Sequence, residues 1–420
     1  MSCRLLLAPL MLAGTLLAAP ATPEPFRPKA GEFPPLAMAH SYRGELVFVD
    51  HANRRGSLRV QGSGMFFRND PHPIALLPYA EVRQFGAPAD LRDLPLGSLL
   101  HAKGFLPPDP KTSCVPVLPV DNKTRDGNHN RGAGIFPAEN HLLLLEDEPS
   151  RCLREGKIWQ LNSLEFKGPA GLLEASCQPL NGNDAKAAVE SLGLDQATRF
   201  WRGRELLNLS EWLKDTGLKP EGKQDLKALR LHLSLTWKPT ADGIFTRLHV
   251  SDVWLDDAAL HRAAQRQRQT HLAFMRSRWL PAFVDGVQYG KFGRASITLT
   301  LFGGMDEELY ADFKQGAAAM INAAESNLKH LSASNGPAHM ASKGSILEVQ
   351  RRSQNPPPGS SGLQLRFETD LIIEGIRPGR VVRIRPRDWP QVNLPREEYI
   401  SDGAASLEER FPTPAMFPKY

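Results

Sequence analysis

Three arginines, Arg383, Arg385 and Arg387, alternate along VVRIRPR near the end of the chain. On a strand, side chains two apart share a face, so the three guanidinium groups would form a stripe. Guanidinium pairs with carboxylate, sulfate or phosphate through two parallel hydrogen bonds, which makes the stripe a candidate anion site. Arg377 and Arg380 precede it around Pro378-Gly379, and a solvated sheet face balanced by Glu368, Asp370 and Glu374 is the competing reading. Trp201, between Phe200 and Arg202 and just before Gly203, is a second candidate. An exposed indole beside a guanidinium stacks on sugars or bases, whereas core packing is the commoner use of so much apolar area.

Histidine crowds the first third of the chain at His40, His51, His72, His101, His129 and His141. His51 follows Asp50 at a strand-to-turn junction, and His129 lies in the polar run Asp126-Gly127-Asn128-His129-Asn130, so these two are the candidate metal ligands. A zinc or copper site needs three or four converging donors, and no histidine pair has the spacing of one helix or strand face. No metal site is assigned and no cofactor is expected. The same run does not suit calcium, because Ala133 stands where a bidentate Glu belongs. No nucleophile elbow, H-E-x-x-H, P-loop or Rossmann glycine fingerprint occurs, which weighs against an enzyme without excluding a triad assembled from distant residues.

The N-terminus reads as a secretory signal over residues 1–21. Arg4 supplies the positive end, Leu5 to Leu17 a short apolar run, and Ala19-Pro20-Ala21 the small residues of a cleavage site. Export to the periplasm or beyond is therefore expected. Cys3 would leave with the signal, and Cys152 with Cys177 is the expected disulfide among the remaining three cysteines.

Those residues need a scaffold, and composition constrains it. Of 420 residues, 34 are Gly and 35 are Pro, too many breakers for long helices to dominate. Charged residues make up 23 %, and 51 basic against 46 acidic side chains leave only +5, so nucleic acid is not an expected partner. Nothing after the signal is apolar for long enough to span a bilayer as a helix. Residues 22–39 read as a Pro-rich extended leader.

Gly44 to Asp50, Ser57 to Val60 and Ile74 to Leu77 predict short strands, and Leu229 to Trp237 and Phe245 to Leu255 alternate with period two. The order Ala80 to Leu94 recurs at Ala197 to Leu209: a polar–apolar stretch, a Gly turn, then Leu-rich residues around a polar cap. Leu371 to Pro386 is a weaker third echo. Asp90-Leu91-Arg92-Asp93-Leu94-Pro95-Leu96-Gly97, together with the Gly44 opening, resembles the small OB-like barrels of exported bacterial proteins of unknown function. That resemblance implies fold, not activity.

The expected fold is therefore mainly β with some α: two or three tandem small antiparallel OB-like barrels joined by long loops and an Arg-rich helix. Barrels are expected over 40–108, 151–256 and 285–400, the last as a barrel or an α+β module. A polar linker is expected over 109–150, a bridging helix over 257–284 and a tail over 401–420. Met305 to Leu331 reads as a helix, or alternatively Ala317 to Ala323 as a strand. The expected function is non-enzymatic: binding an anionic polysaccharide or envelope polymer or protein through Arg383, Arg385, Arg387, Trp201 and Arg202. The alternatives are a metal-dependent hydrolase built on the His-rich first module, and an interaction scaffold docking through its Arg-rich helix.

Overall fold

The computed structural model describes residues 26, 33–50, 54–60, 71–105, 140–167, 170–226, 229–239, 246–323, 341–372 and 376–390. The expected signal, His51, Cys114, His129 and the tail lie outside them. Within them the chain is mainly β and closes into three small barrels in tandem. No helix among the described residues is long and apolar enough to cross a membrane.

The first barrel is a ring of five strands: β1 (His40–Asp50), β2 (Arg55–Val60), β3 (His72–Gln84), β6 (Asn140–Asp147) and β5 (Leu99–Phe105). Every neighbouring pair is antiparallel except β3 with β6, which run parallel. Leu46, Leu58, Ile74, Leu100 and Leu142 fill the interior and are wholly buried. At its far end β3 folds back at Phe85-Gly86 onto the two-residue β4 (Ala87–Pro88). A 3-10 turn over Leu91–Asp93 follows, where Asp90 and Asp93 form a reciprocal capping box. Residues 140–147, expected to end a linker, instead supply the strand that closes the ring. Their run of four leucines lacks alternation because both faces of β6 are buried.

The helix α1 (Glu148–Glu155) leads straight into the second barrel. Its ring is β7 (Lys157–Lys167), β8 (Ala170–Pro179), β9 (Val189–Leu194), β14 (Thr246–Trp254) and β13 (Arg230–Pro239), and again the third strand meets the last in parallel. Between them lie the hairpin β10 (Arg199–Arg202) and β11 (Glu205–Leu207), then α2 (Leu209–Thr216) and the edge strand β12 (Gly222–Asp225). β10 runs parallel to the end of β14 just as the end of β3 runs parallel to β6. The recurring sequence phrase is thus one piece of structure used twice, a hairpin followed by a capped helical turn. Asn208 and Glu211 repeat the capping box of the first copy. This strand order fits OB-like modules at the level of fold.

The third barrel has six strands, all pairs antiparallel: β15 (Leu280–Tyr289), β16 (Ala295–Phe302), β19 (Ser360–Thr369), β18 (Ser342–Arg351), β17 (Ala318–Ala323) and β20 (Val381–Pro386). The Pro378-Gly379 turn leads into β20 as expected, but the strand order differs from that of the first two rings. Between β16 and β17 only α4 (Glu307–Ala311) is helical, so the strand alternative for Ala317 to Ala323 is the one realised.

The Arg-rich helix is α3 (Asp257–Arg278), capped by Asp256 and ended by Trp279, whose φ of 66° turns the chain ahead of Pro281. It is a spine that touches every barrel. Ala259 and Leu260 pack on Trp254 of the second barrel, and Gln267 donates to Asp93 of the first at 2.9 Å. Leu272 and Met275 enter the third barrel's core. Arg268 pairs with Asp306, and Arg276 with Glu308 and Asp312, at 2.5 to 3.0 Å.

The leader also departs from a plain extended segment. Leu36–Met38 is a 3-10 turn, and Phe26 packs on Phe105 with ring centroids 5.5 Å apart. Phe33 sits between Tyr79 of the first barrel and Phe302 of the third, 5.2 and 5.9 Å away. The rings of Phe26 and Phe33 carry enough apolar area to dock these residues.

Candidate functional site at the first barrel junction

Glu146, Asp147 and Glu148 follow one another where β6 turns into α1, and all three are buried. Burying carboxylates is costly unless each is paired and hydrogen-bonded. Glu146 takes Arg154 through Nε at 3.0 Å. Asp147 caps α1, accepting the Ser150 amide at 3.0 Å and the Phe85 amide at 3.0 Å, with the Ser150 hydroxyl at 2.5 Å. Burial pushes Asp147 up to about 6, against the lowering by Ser150 and the Phe85 amide.

Glu148, fully enclosed at 0 % exposure, is the hub. It accepts His101 Nε2 of β5 at 2.5 Å and Trp159 Nε1 of β7 at 2.9 Å, and it pairs with Arg151 one helical turn on. Burial alone would raise this carboxyl, but His101, by hydrogen bond and charge, and Arg151 more than offset it and hold it at about 2. One carboxylate thereby ties together the first barrel, α1 and the second barrel.

Two sulfurs complete the site. Cys152, one turn after Glu148, is wholly buried and its Sγ donates to Glu148 Oε1 at 3.3 Å. Cys177 on β8 is half-buried, with its Sγ 3.9 Å from that of Cys152 and 3.4 Å from Arg151 Nη2. The expected disulfide pair is therefore adjacent but present as free thiols. The hydrogen bond with Cys152, joined by the Arg151 guanidinium, outweighs burial and brings Cys177 down to about 7. The same hydrogen bond, burial and the Glu148 charge drive Cys152 up. No protein-family model and no curated protein matches this chain.

The other residues singled out by sequence lie on or just after β20 and on β10. Arg383 and Arg385 do share a face of β20, but that face is covered, and each residue is 6 % exposed. Arg383 Nη1 donates to the carbonyls of Arg278 and Trp279 at the end of α3, at 3.2 and 3.1 Å. Arg385 donates to the carbonyls of Pro386, Arg387 and Trp389 and lies over the Trp279 ring at 5.4 Å. Burial lowers its pKa. Only Arg387 is exposed. Trp201 is half-buried against Trp254, the rings nearly parallel at 6.0 Å, and donates to Asp252 at 2.8 Å. Arg202 pairs with Asp215 at 2.5 Å. Their nearest partners are internal.

His51 and His129 lie outside the described residues. Of the remaining crowded histidines, His40 stacks on Tyr42, His101 serves Glu148, and His141 is buried, with burial and Arg55 lowering it to about 4. Among the described residues, the one trio of donor groups that converges is Glu148, Cys152 and Cys177, without histidine. Sequence reasoning missed Glu148 and Arg151. Their signal was present in Glu-Asp-Glu-Pro-Ser-Arg-Cys, where a capping Asp, a Pro at the first turn and residues three and four apart put Glu148, Arg151 and Cys152 on one helix face.

Proposed function

We propose that this is an exported, non-enzymatic multi-barrel protein that acts as an interaction scaffold for another protein of the cell envelope. The observation that carries this reading is the tip of the β15–β16 hairpin. Phe292 there is 96 % exposed with φ of 59°, a left-handed backbone that an L-residue adopts only when its surroundings impose it. Tyr289 and Leu371, at 67 % and 65 % exposure, add apolar surface, and Lys291 and Arg294 accompany them on the tip. Presenting an aromatic ring to water at a conformational cost fits a contact with a partner.

The Arg-rich helix supports the same reading in an altered form. It was the docking element of one alternative, and two of its arginines, Arg268 and Arg276, pair with Asp306, Glu308 and Asp312 around α4, which braces the barrels. The anionic-glycan reading through Arg383, Arg385, Arg387, Trp201 and Arg202 is less favoured, because Arg383, Arg385 and Trp201 serve internal partners and leave Arg387 and Arg202 as its accessible members. Photo-crosslinking from position 292 in intact cells tests the proposal. A recurrent adduct to one envelope protein, absent when the crosslinker replaces Leu180, is expected. Adducts with polysaccharide, or none, would overturn it.

A further inference from the structure

Cys152 and Cys177 differ in the way a reacting pair must. Cys177 is the accessible sulfur, half-buried on β8, with the Arg151 guanidinium 3.4 Å away to stabilise a thiolate. Cys152 has no exposure, and its thiol donates to Glu148 Oε1, a carboxylate whose charge keeps Cys152 protonated. The two sulfurs stand 3.9 Å apart and a disulfide closes at about 2 Å, so bonding needs the sulfurs to approach by roughly 2 Å.

We propose that this junction is a thiol–disulfide exchange site, with Cys177 as the attacking thiol and Cys152 as the resolving one. The co-reactant is an oxidised dithiol carrier or a small disulfide. In the first step the Cys177 thiolate attacks one sulfur of that disulfide, a mixed disulfide forms, and the other sulfur leaves as a thiolate. In the second, Cys152 attacks Cys177 Sγ, and its proton passes to the departing carrier sulfur. The Cys152–Cys177 bond forms as the mixed disulfide breaks, and the second carrier sulfur leaves. Two protein thiols are oxidised by two electrons and the carrier disulfide is reduced to two thiols. The product bond joins α1, the link between the first two barrels, to the wall of the second.

A soft cation could use the same donors, since Glu148, Cys152 and Cys177 offer ligand atoms within 4.8 Å of one another. Arg151 argues against it. Its guanidinium already pairs with Glu148 and touches both sulfurs, at 3.4 and 3.8 Å, so a second cation would have to displace a fixed positive charge.

The experiment uses the full chain with Cys3→Ser and Cys114→Ser, exposed to oxidised glutathione and followed by peptide mapping. Loss of two thiols per chain with a Cys152–Cys177 crosslinked peptide is expected. In the added Cys152→Ser variant, a stable glutathione adduct at Cys177 should accumulate. In the added Cys177→Ser variant, Cys152 should react at least tenfold more slowly, and circular dichroism establishes that each variant is folded. Equal reaction rates at the two cysteines, or unchanged thiols, would overturn the assignment. So would zinc protecting both thiols from alkylation at stoichiometric concentration, or a Cys114–Cys177 crosslink when Cys114 is restored.

Discussion

Replacing Glu148 with Gln removes one charge from a fully buried site and should be the most damaging conservative change in the first two barrels. In the wild type the carboxyl is held at about 2, against an ordinary value of 4.5. A folded-state value below the unfolded one means that the unfolded chain takes up protons first. The stabilisation is therefore complete above about pH 5 and is lost as pH falls from 4.5 toward 2. The displacement of about 2.5 pH units corresponds to roughly 3 kcal/mol at neutral pH. The geometry gives a similar figure, because breaking a buried ion pair by removing one partner costs about 3–5 kcal/mol. Gln can still accept from Trp159 but cannot satisfy Arg151 and His101 together. Urea unfolding followed by tryptophan fluorescence at pH 7 should show a loss of about 3 kcal/mol in the transition that reports the first two barrels. Near pH 3.5 the gap between variant and wild type should narrow by about 1 kcal/mol, as the wild type loses its own advantage. A loss below about 1 kcal/mol at pH 7, or a gap that does not depend on pH, would refute the hub role of Glu148.

Asp147, one residue earlier, should behave oppositely. With its folded value raised to about 6, its ionisation opposes folding above that pH, so Asp147→Asn should gain relative to wild type as pH rises from 4 to 7.5 by urea titration. His271 on α3 is buried with no hydrogen-bond partner for either ring nitrogen among the described residues, and burial lowers it to about 4. His271→Leu should stabilise the protein by about 1 kcal/mol at neutral pH. It should also remove the loss of stability that wild type suffers as pH falls from 6.5 to 4, readable in thermal melts at both ends. Gly359 has φ of 99°, and a methyl group there would lie 2.7 Å from Tyr79 and 2.8 Å from Phe33. Gly359→Ala should cost about 2 kcal/mol and expose the Phe33 segment to limited proteolysis.

Local chemistry carried much of the fold in readable form. The alternation in Leu229 to Trp237 marks β13, and the hairpin-and-cap phrase at Ala80 and Ala197 marks equivalent parts of two barrels. β6 was hidden because a strand buried on both faces shows no period of two. At Arg383 and Arg385 the parity of the strand was legible, but what covers that face was not. The carbonyls of Arg278 and Trp279 arrive there from a helix end more than a hundred residues earlier in the chain. Cys152 and Cys177 were paired from spacing and compartment, yet the Arg151 guanidinium beside them matters only through its reach across to β8.

The docking of Phe33 sets an order of events during synthesis. Its partner in the third barrel, Phe302, is 269 residues further along the chain. At about 5–20 residues per second, that residue leaves the ribosome roughly ten to fifty seconds after Phe33. The first barrel can complete its own ring once β6 has emerged, but its Phe33 seam with the third barrel must wait until most of the protein has been made. During that interval the aromatic leader lacks half of its seat and is open to whatever chaperone reads exposed aromatic segments.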